Sequence, residues 1–315
     1  MQNNLFWQFQ PSALCRYLSF WLGIMLFVVS CGGDMANQSA EESSAEMTTA
    51  TTERIVSLNG SLTELLFELG YGDQIVGLDV TSTYPAAAAS LPKLGHVSQL
   101  NTEALLALQP SLVVVAKTEA ENAMLKQLEE AGLKIVAIEQ EAKLDNAFKA
   151  AQSLQEHLNF PAEKLAAIQQ KITDGQEALA DVLSEVDANE KPSVLFIYAR
   201  GTGRLMVGGT TTSANDMIEM VGGQNAITSF EDFAALTPEA LLEAAPDVIL
   251  MFESGLASLD GLEGLGQIPG MAEVPAYKNG RVITMDGHYL LGFGPRAAQA
   301  ALELATQLHQ TGKAI

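Results

Sequence analysis

Tyr84 stands in Thr81-Ser82-Thr83-Tyr84-Pro85, directly after the apolar run Ile75 to Leu78. A phenol on such a loop has two uses. It packs against its own domain, or its oxygen binds ferric iron, the axial chemistry of tyrosine-ligated haem. A free phenol ionises near pH 10, so the second use needs the metal or a nearby cation to favour the phenolate. Pro85 biases Tyr84 towards an extended backbone. Ser61-Leu62-Thr63-Glu64 has the spacing of a capping box, in which Ser61 and Glu64 close a helix start; the same N–H groups can also face a ligand. No recognised enzyme signature accompanies these residues. There is no G-x-S-x-G elbow, P-loop, H-E-x-x-H or Cys pair, and Gly201-Thr-Gly203-Arg204-Leu-Met206 lacks the third glycine of a dinucleotide fingerprint. The four histidines, His96, His157, His288 and His309, are far apart. These absences speak against a hydrolase or a dehydrogenase and against an enzyme reading of the chain.

The 315 residues suit two domains with substantial cores. Seventeen Lys plus Arg against 38 Asp plus Glu leave a formal charge of −21, which phosphate backbones repel, so nucleic acid is excluded as a partner. At the N-terminus, Tyr17 to Val29 is an apolar run after Arg16, shorter than the roughly 20 residues of a membrane-spanning helix. Residues 1–30 read as an export signal, and Val28-Val29-Ser30-Cys31 resembles the end of a bacterial lipoprotein signal. That implies cleavage before Cys31, lipid on its sulfur, and a membrane-anchored extracytoplasmic protein. Residues 31–52, rich in Ser, Thr, Ala and Glu, suit a flexible tether. The other cysteine, Cys15, lies within the signal, so a mature chain acylated at Cys31 has no thiol for a disulfide or a metal.

Apolar, β-branched runs recur at Ile55 to Leu58, Ile75 to Leu78, Leu112 to Ala116, Ile135 to Ile138, Val194 to Tyr198, Val248 to Phe252 and Val282 to Met285, with helical patterns between most of them. This alternation predicts parallel α/β sheets covered on both faces. Leu100 to Val114 (LNTEALLALQPSLVV) repeats as Leu236 to Leu250 (LTPEALLEAAPDVIL) at an offset of 136 residues, about one domain. A weaker echo relates Thr63–Gly70 to Asp216–Gly223. Between the copies, Leu144 to Leu158 and Pro161 to Leu183 have helical periodicity, with Gly175 inside the second segment. The fold class is two α/β lobes, 53–142 and 191–315, joined by linking helices over 143–190, with a ligand cleft between them where strand-end loops converge.

Arg54 to Glu64 (RIVSLNGSLTE), Val76 to Pro85 (VGLDVTSTYP), Leu91 to Gly95 (LPKLG) and Leu290 to Arg296 (LLGFGPR) closely resemble the haem-binding periplasmic proteins of bacterial ABC importers. The resemblance covers nearly all of residues 53–315, and the broader family includes siderophore and vitamin B12 binders. It implies a monomer that captures haem as cargo in the cleft, with Tyr84 as iron ligand, and delivers it to a membrane permease with its ATPase. A ferric siderophore or a corrinoid is the alternative cargo.

The resemblance also orders the remaining candidates. His96 is either a second axial ligand or a pocket residue, with His288 as another candidate. Lys93, Arg200 and Arg204 are candidates for contact with the haem propionates, and Ser61 for the pocket. Arg200 and Arg204 frame the Gly201–Gly203 loop, read as the second lobe's echo of the Ser61 loop, whereas Arg296 is either a further cation for the propionates or the phenolate, or part of a helix opened by Pro295. Some relatives carry a cleft Arg just after the strand matching Val248 to Phe252; this chain has Glu253-Ser254-Gly255 there. Glu103 and Glu239 occupy matching positions of the repeat, each near a helix start, after caps expected at Asn101 and Thr237. The helix dipole favours them there. The resemblance adds that such a pair docks onto arginines of the permease.

Overall fold

The computed structural model describes residues 53–187 and 189–310; the export signal, Cys31 and the tether lie outside them. Residues from Thr51 onward form one compact unit. Its first sheet is wholly parallel, in the order β2-β1-β3-β4, from β1 (Ile55–Ser57), β2 (Ile75–Leu78), β3 (Leu112–Ala116) and β4 (Ile135–Ile138). Every residue of β3 is buried because both faces of the sheet are covered. Ile55, Leu112 and Val114 pack with Leu62, Leu65 and Leu66 on one face, while Val56, Val113 and Val115 pack with Leu105 and Leu125 on the other.

The second sheet comprises β5 (Ser193–Ala199), β6 (Leu205–Gly208), β7 (Gln224–Asn225), β8 (Phe233–Ala235), β9 (Val248–Phe252) and β10 (Val282–Met285). Its order is β10-β9-β5-β6-β8, with β7 also on β5. This sheet corrects the expectation of purely parallel sheets, because β6 runs antiparallel to β5 and β8 antiparallel to β6. Both strands are short and partly exposed, and their apolar stretches, Leu205 to Val207 and Phe233 to Ala235, are only three residues each. Gly201–Gly203 is consequently the turn of a β-hairpin and not an echo of the Ser61 loop. Gly201 has φ +66°, and the Arg200 amide donates to the Arg204 carbonyl at 3.0 Å. The true counterpart of the helix Gly60–Leu69 is Ser213–Met220. Asn59 caps the first by accepting from the Leu62 amide at 3.1 Å, and Thr212 caps the second by accepting from the Asn215 amide at 3.3 Å.

The 136-residue repeat extends to single hydrogen bonds. The helices Thr102–Ala107 and Pro238–Ala244 start at Asn101 and Thr237, whose side chains accept from the amides of Ala104 and Ala240 at 3.0 and 3.1 Å. Beyond each helix body come a non-glycine residue of positive φ, Gln109 or Ala245, and a proline. The next residue then ties the loop to its lobe's sheet: Ser111 Oγ accepts from the Arg54 amide at 3.0 Å and Asp247 Oδ2 from the Ser193 amide at 2.9 Å.

The linking segment holds a helix at Asn146–Leu154 and a 23-residue helix at Ala162–Ser184, about 35 Å long, with Pro161 at its N-cap. Gly175 does not interrupt it. A Cβ there would come within 2.6 Å of the Ala298 Cβ, so glycine lets the final helix Ala297–His309 lie close against the linking helix. Ile168 and Ile172 belong to the first lobe's core, whereas Leu179 belongs to the second's.

Candidate ligand-binding cleft

The carboxyl ends of strands from both sheets surround a cleft of about 950 Å³, near the upper end of the usual range for small-molecule sites. The first lobe contributes Asn59–Ser61 after β1, Val80, Thr81 and Thr83 after β2, and Gln140–Ala142 after β4. The second contributes Tyr198 and Arg200 at the end of β5, Phe252 on β9, and Gly287, His288, Leu291 and Phe293 beyond β10.

The loop that carries Tyr84 is built on a buried acid. The Asp79 carboxylate, 1% exposed, accepts from the Thr81 amide (3.2 Å) and hydroxyl (2.5 Å) and from the Ser82 amide (3.2 Å) and hydroxyl (2.6 Å). Thr63 Oγ1 lies 2.7 Å from Ser82 Oγ and donates to Ser57 Oγ at 2.8 Å. Lys93 closes the arrangement. It is not among the cleft-lining residues; its ammonium donates to the Ser82 carbonyl, and burial pulls its pKa down while the Asp79 charge opposes that. The place expected for Lys93 at a haem propionate is thus replaced by a hold on the Tyr84 loop.

Tyr84 itself is 42% exposed, and its hydroxyl makes no hydrogen bond among the described residues. Like Lys93 it is not among the cleft-lining residues, although its neighbour Thr83 is, and the Arg296 guanidinium lies over the Tyr84 ring, 3.6 Å from the centroid. Arg296 is in turn fixed by Glu64, with Nε to Oε1 and Nη2 to Oε2 both at 2.9 Å. The guanidinium also lies 4.8 Å from the ring centroid of Tyr289, whose phenol burial and the Glu303 carboxylate push up to about 12.

These contacts overturn the capping-box reading. Asn59 is the cap, the Ser61 hydroxyl donates to the Gly292 carbonyl across the cleft, and Glu64, 2% exposed, faces the second lobe. Asn146 Nδ2 adds a further tie to the Phe293 carbonyl at 3.0 Å. His288 lines the cleft, with Nε2 3.4 Å from Glu64 Oε2 and its ring against Gly60, where a Cβ would meet Nδ1 at 2.8 Å. Its Nε2 is buried and makes no hydrogen bond among the described residues.

Burial alone would raise the Glu64 pKa, but the nearby His288 ring, together with the hydrogen bonds and charge of Arg296, outweighs it and holds the carboxyl below its ordinary value of 4.5. A depressed acid stabilises the fold above its unfolded pKa, and that contribution is lost as pH falls through the folded value. Thermal melts of the Glu64→Gln variant should accordingly start lower at neutral pH and fall less steeply below about pH 4.5 than those of the wild type. Parallel pH profiles would remove Glu64 from this role.

The other candidates separate in space. His96 lines the cleft, and its Nδ1 is paired with the Ser98 hydroxyl at 2.8 Å and the Ser98 amide at 3.2 Å, leaving Nε2 without a partner among the described residues. Arg200 lines the cleft beside Tyr198, with its guanidinium 5.5 Å from the ring centroid. Arg204 lines a neighbouring cavity of about 370 Å³ with Tyr198, Met206, Asp232 and Phe233. Glu103 and Glu239 are exposed in the first turns of their helices, with no partner among the described residues. Arg296 was a candidate cation for the phenolate, but its pairing with Glu64 and the Asp79 network were not foreseen. Arg296 leaves one signal, a cation closing the LLGFGPR segment; a buried glutamate in an apolar helix leaves none.

The family model for periplasmic binding proteins matches residues 55–289, most of the chain. The chain belongs to the periplasmic binding protein family. A solved structure titled as the periplasmic haem-binding protein RhuT from Roseiflexus sp. RS-1, in apo form, is 35% identical, with a TM-score of 0.77, over 82% of this chain and 98% of that one. The ABC transporter substrate-binding lipoprotein YvrC of Bacillus subtilis is 27% identical over 82% of this chain and 80% of its own length. A cobalamin-binding protein of Halobacterium salinarum is 26% identical over 82% of this chain and 70% of its own. This periplasmic binding protein is the substrate-binding component of an ABC importer, a class of extracytoplasmic proteins that work with a permease and its ATPase and are not enzymes. Among the described residues no helix is long and apolar enough to cross a membrane.

Proposed function

We propose that this binding protein captures ferric haem in the interlobe cleft through Tyr84 and hands it to the permease. The observation that carries this reading is a half-exposed phenol with no hydrogen bond, covered on one face by a guanidinium that a buried carboxylate holds in place. Such an oxygen is free to bind ferric iron, as in tyrosine-ligated haem. Phe252, Leu291, Phe293 and Val80 offer apolar surface to the macrocycle, and Arg200 and Arg204 offer charge to its propionates. His96 is the candidate for the sixth position; its Nδ1 accepts from the Ser98 amide, so ligation through Nε2 requires that bond to break and the proton to move to Nδ1. Glu103 and Glu239 dock onto the permease, and a lipid on Cys31 keeps the protein at the membrane.

A corrinoid is the second reading, favoured by the cobalamin-binding relative. Cobalamin brings its own axial base and would leave Tyr84 without a task. Titration of the chain from Thr51 onward with haemin, with cyanocobalamin and with a ferric siderophore, followed by visible absorption, separates these cargoes. Saturable binding with a tyrosinate-type spectrum is expected for haemin alone. Tight binding of cyanocobalamin with none of haemin would replace haem by a corrinoid, and a response to the siderophore alone would assign that cargo.

A further inference from the structure

The matching helices Thr102–Ala107 and Pro238–Ala244 share more than their glutamates. Leu105 and Leu241, equivalent in the repeat, are both 0% exposed, whereas the next residues, Leu106 and Leu242, are 53% and 48% exposed. Among the described residues six large apolar side chains are exposed by 39% or more, the others being Val80, Tyr84, Phe233 and Leu262. Two of the six thus fall on the same position of a 136-residue repeat. Each follows an unpartnered glutamate by three residues, Glu103 before Leu106 and Glu239 before Leu242, a spacing that makes them neighbours on a helix surface. A single exposed leucine needs no explanation. The same leucine beside the same unpaired acid, once on each lobe, does.

We propose that these two Glu–Leu pairs form a bipartite docking surface for the permease. Each half of the permease's outer face would supply a cationic side chain for the glutamate and an apolar socket for the leucine. Charge complementarity points to that occupant, because a chain of formal charge −21 presents an unpaired acid at each site and is drawn to a cationic face. The duplicated cap, helix and proline suit a partner built from two equivalent halves. In this division of labour the glutamates guide encounter and register, while the leucines supply an attraction that salt does not screen. The inference deepens, and rests on, the reading of Glu103 and Glu239 as docking residues.

The test measures binding of the haem-loaded full chain to its permease–ATPase complex in lipid nanodiscs. The variants are Leu106→Ser, Leu242→Ser, both together, Glu103→Ala with Glu239→Ala, and Leu262→Ser as a control outside the repeat. Each leucine change should weaken binding about tenfold at both low and high salt, and the pair should weaken it further. The glutamate double variant should lose most of the salt dependence. Haem affinity and melting temperature should stay at wild-type values, and Leu106→Met should retain binding. Wild-type affinity in both leucine variants, with loss in the glutamate variant, would overturn the inference and leave acidic docking standing. No binding by the wild type would overturn both, and an equal loss in Leu262→Ser would make the leucine effect unspecific and overturn the bipartite surface.

Discussion

Replacing Arg296 by alanine is expected to lower the unfolding free energy by about 3–5 kcal/mol, because it strips the interior Glu64 carboxylate of both its hydrogen bonds and leaves only the His288 ring, 3.4 Å away, beside it. For a body of this size that corresponds to a fall of roughly 6–20 °C in melting temperature. The magnitude comes from breaking the pair and not from the worth of the pair itself. Arg296→Leu combined with Glu64→Leu should recover much of the loss, since an apolar replacement of both partners removes the stranded charge. Arg296→Lys should fall between, keeping charge without the two-point contact to the carboxylate. Thermal melts at neutral pH check all three. A melting temperature for Arg296→Ala within about 2 °C of wild type would mean that Glu64 is not held as the geometry indicates.

Replacing Tyr84 by phenylalanine should leave the melting temperature unchanged and weaken haem binding about a hundredfold, by analogy with the losses seen when metal-site partners are removed. The two halves of this prediction come from separate parts of the residue. The ring stays beneath Arg296, so packing is retained, and the hydroxyl has no bond among the described residues to lose. What goes is the oxygen offered to iron. The tyrosinate-type absorption should vanish with it, while Tyr84→Ala should also forfeit about 1 kcal/mol of cation–π stability. A Tyr84→Phe protein that keeps wild-type affinity and spectrum would move the iron to another ligand, His96 first.

The parts of the fold legible in the sequence are those written in repeated local patterns. Leu112 to Ala116 and Val248 to Phe252 announce themselves because strands buried on both faces must be apolar throughout. The caps Asn101 and Thr237 are legible because capping is settled within three residues. What escaped depends on contacts between distant segments. Glu64 and Arg296 are 232 residues apart, and each has a satisfactory local explanation, as a capping-box acid and as a helix-start cation, that the second lobe's approach overrides. Gly175 likewise looks like a weak point until Ala298 is set against it. Tyr84 was recognised for its place in T-S-T-Y-P, but the Asp79 network that holds that loop was not, since four hydrogen bonds to one carboxylate leave no periodic mark.

The long helix Ala162–Ser184 lends Ile168 and Ile172 to one core and Leu179 to the other. Neither half of the molecule therefore owns a complete interior. Cutting the gene on either side of this helix would give one fragment a surplus apolar face and the other an open hole, so the halves should fold together or not at all. A protein of this kind is inherited, exported and degraded as a single object, although its sequence carries the imprint of two.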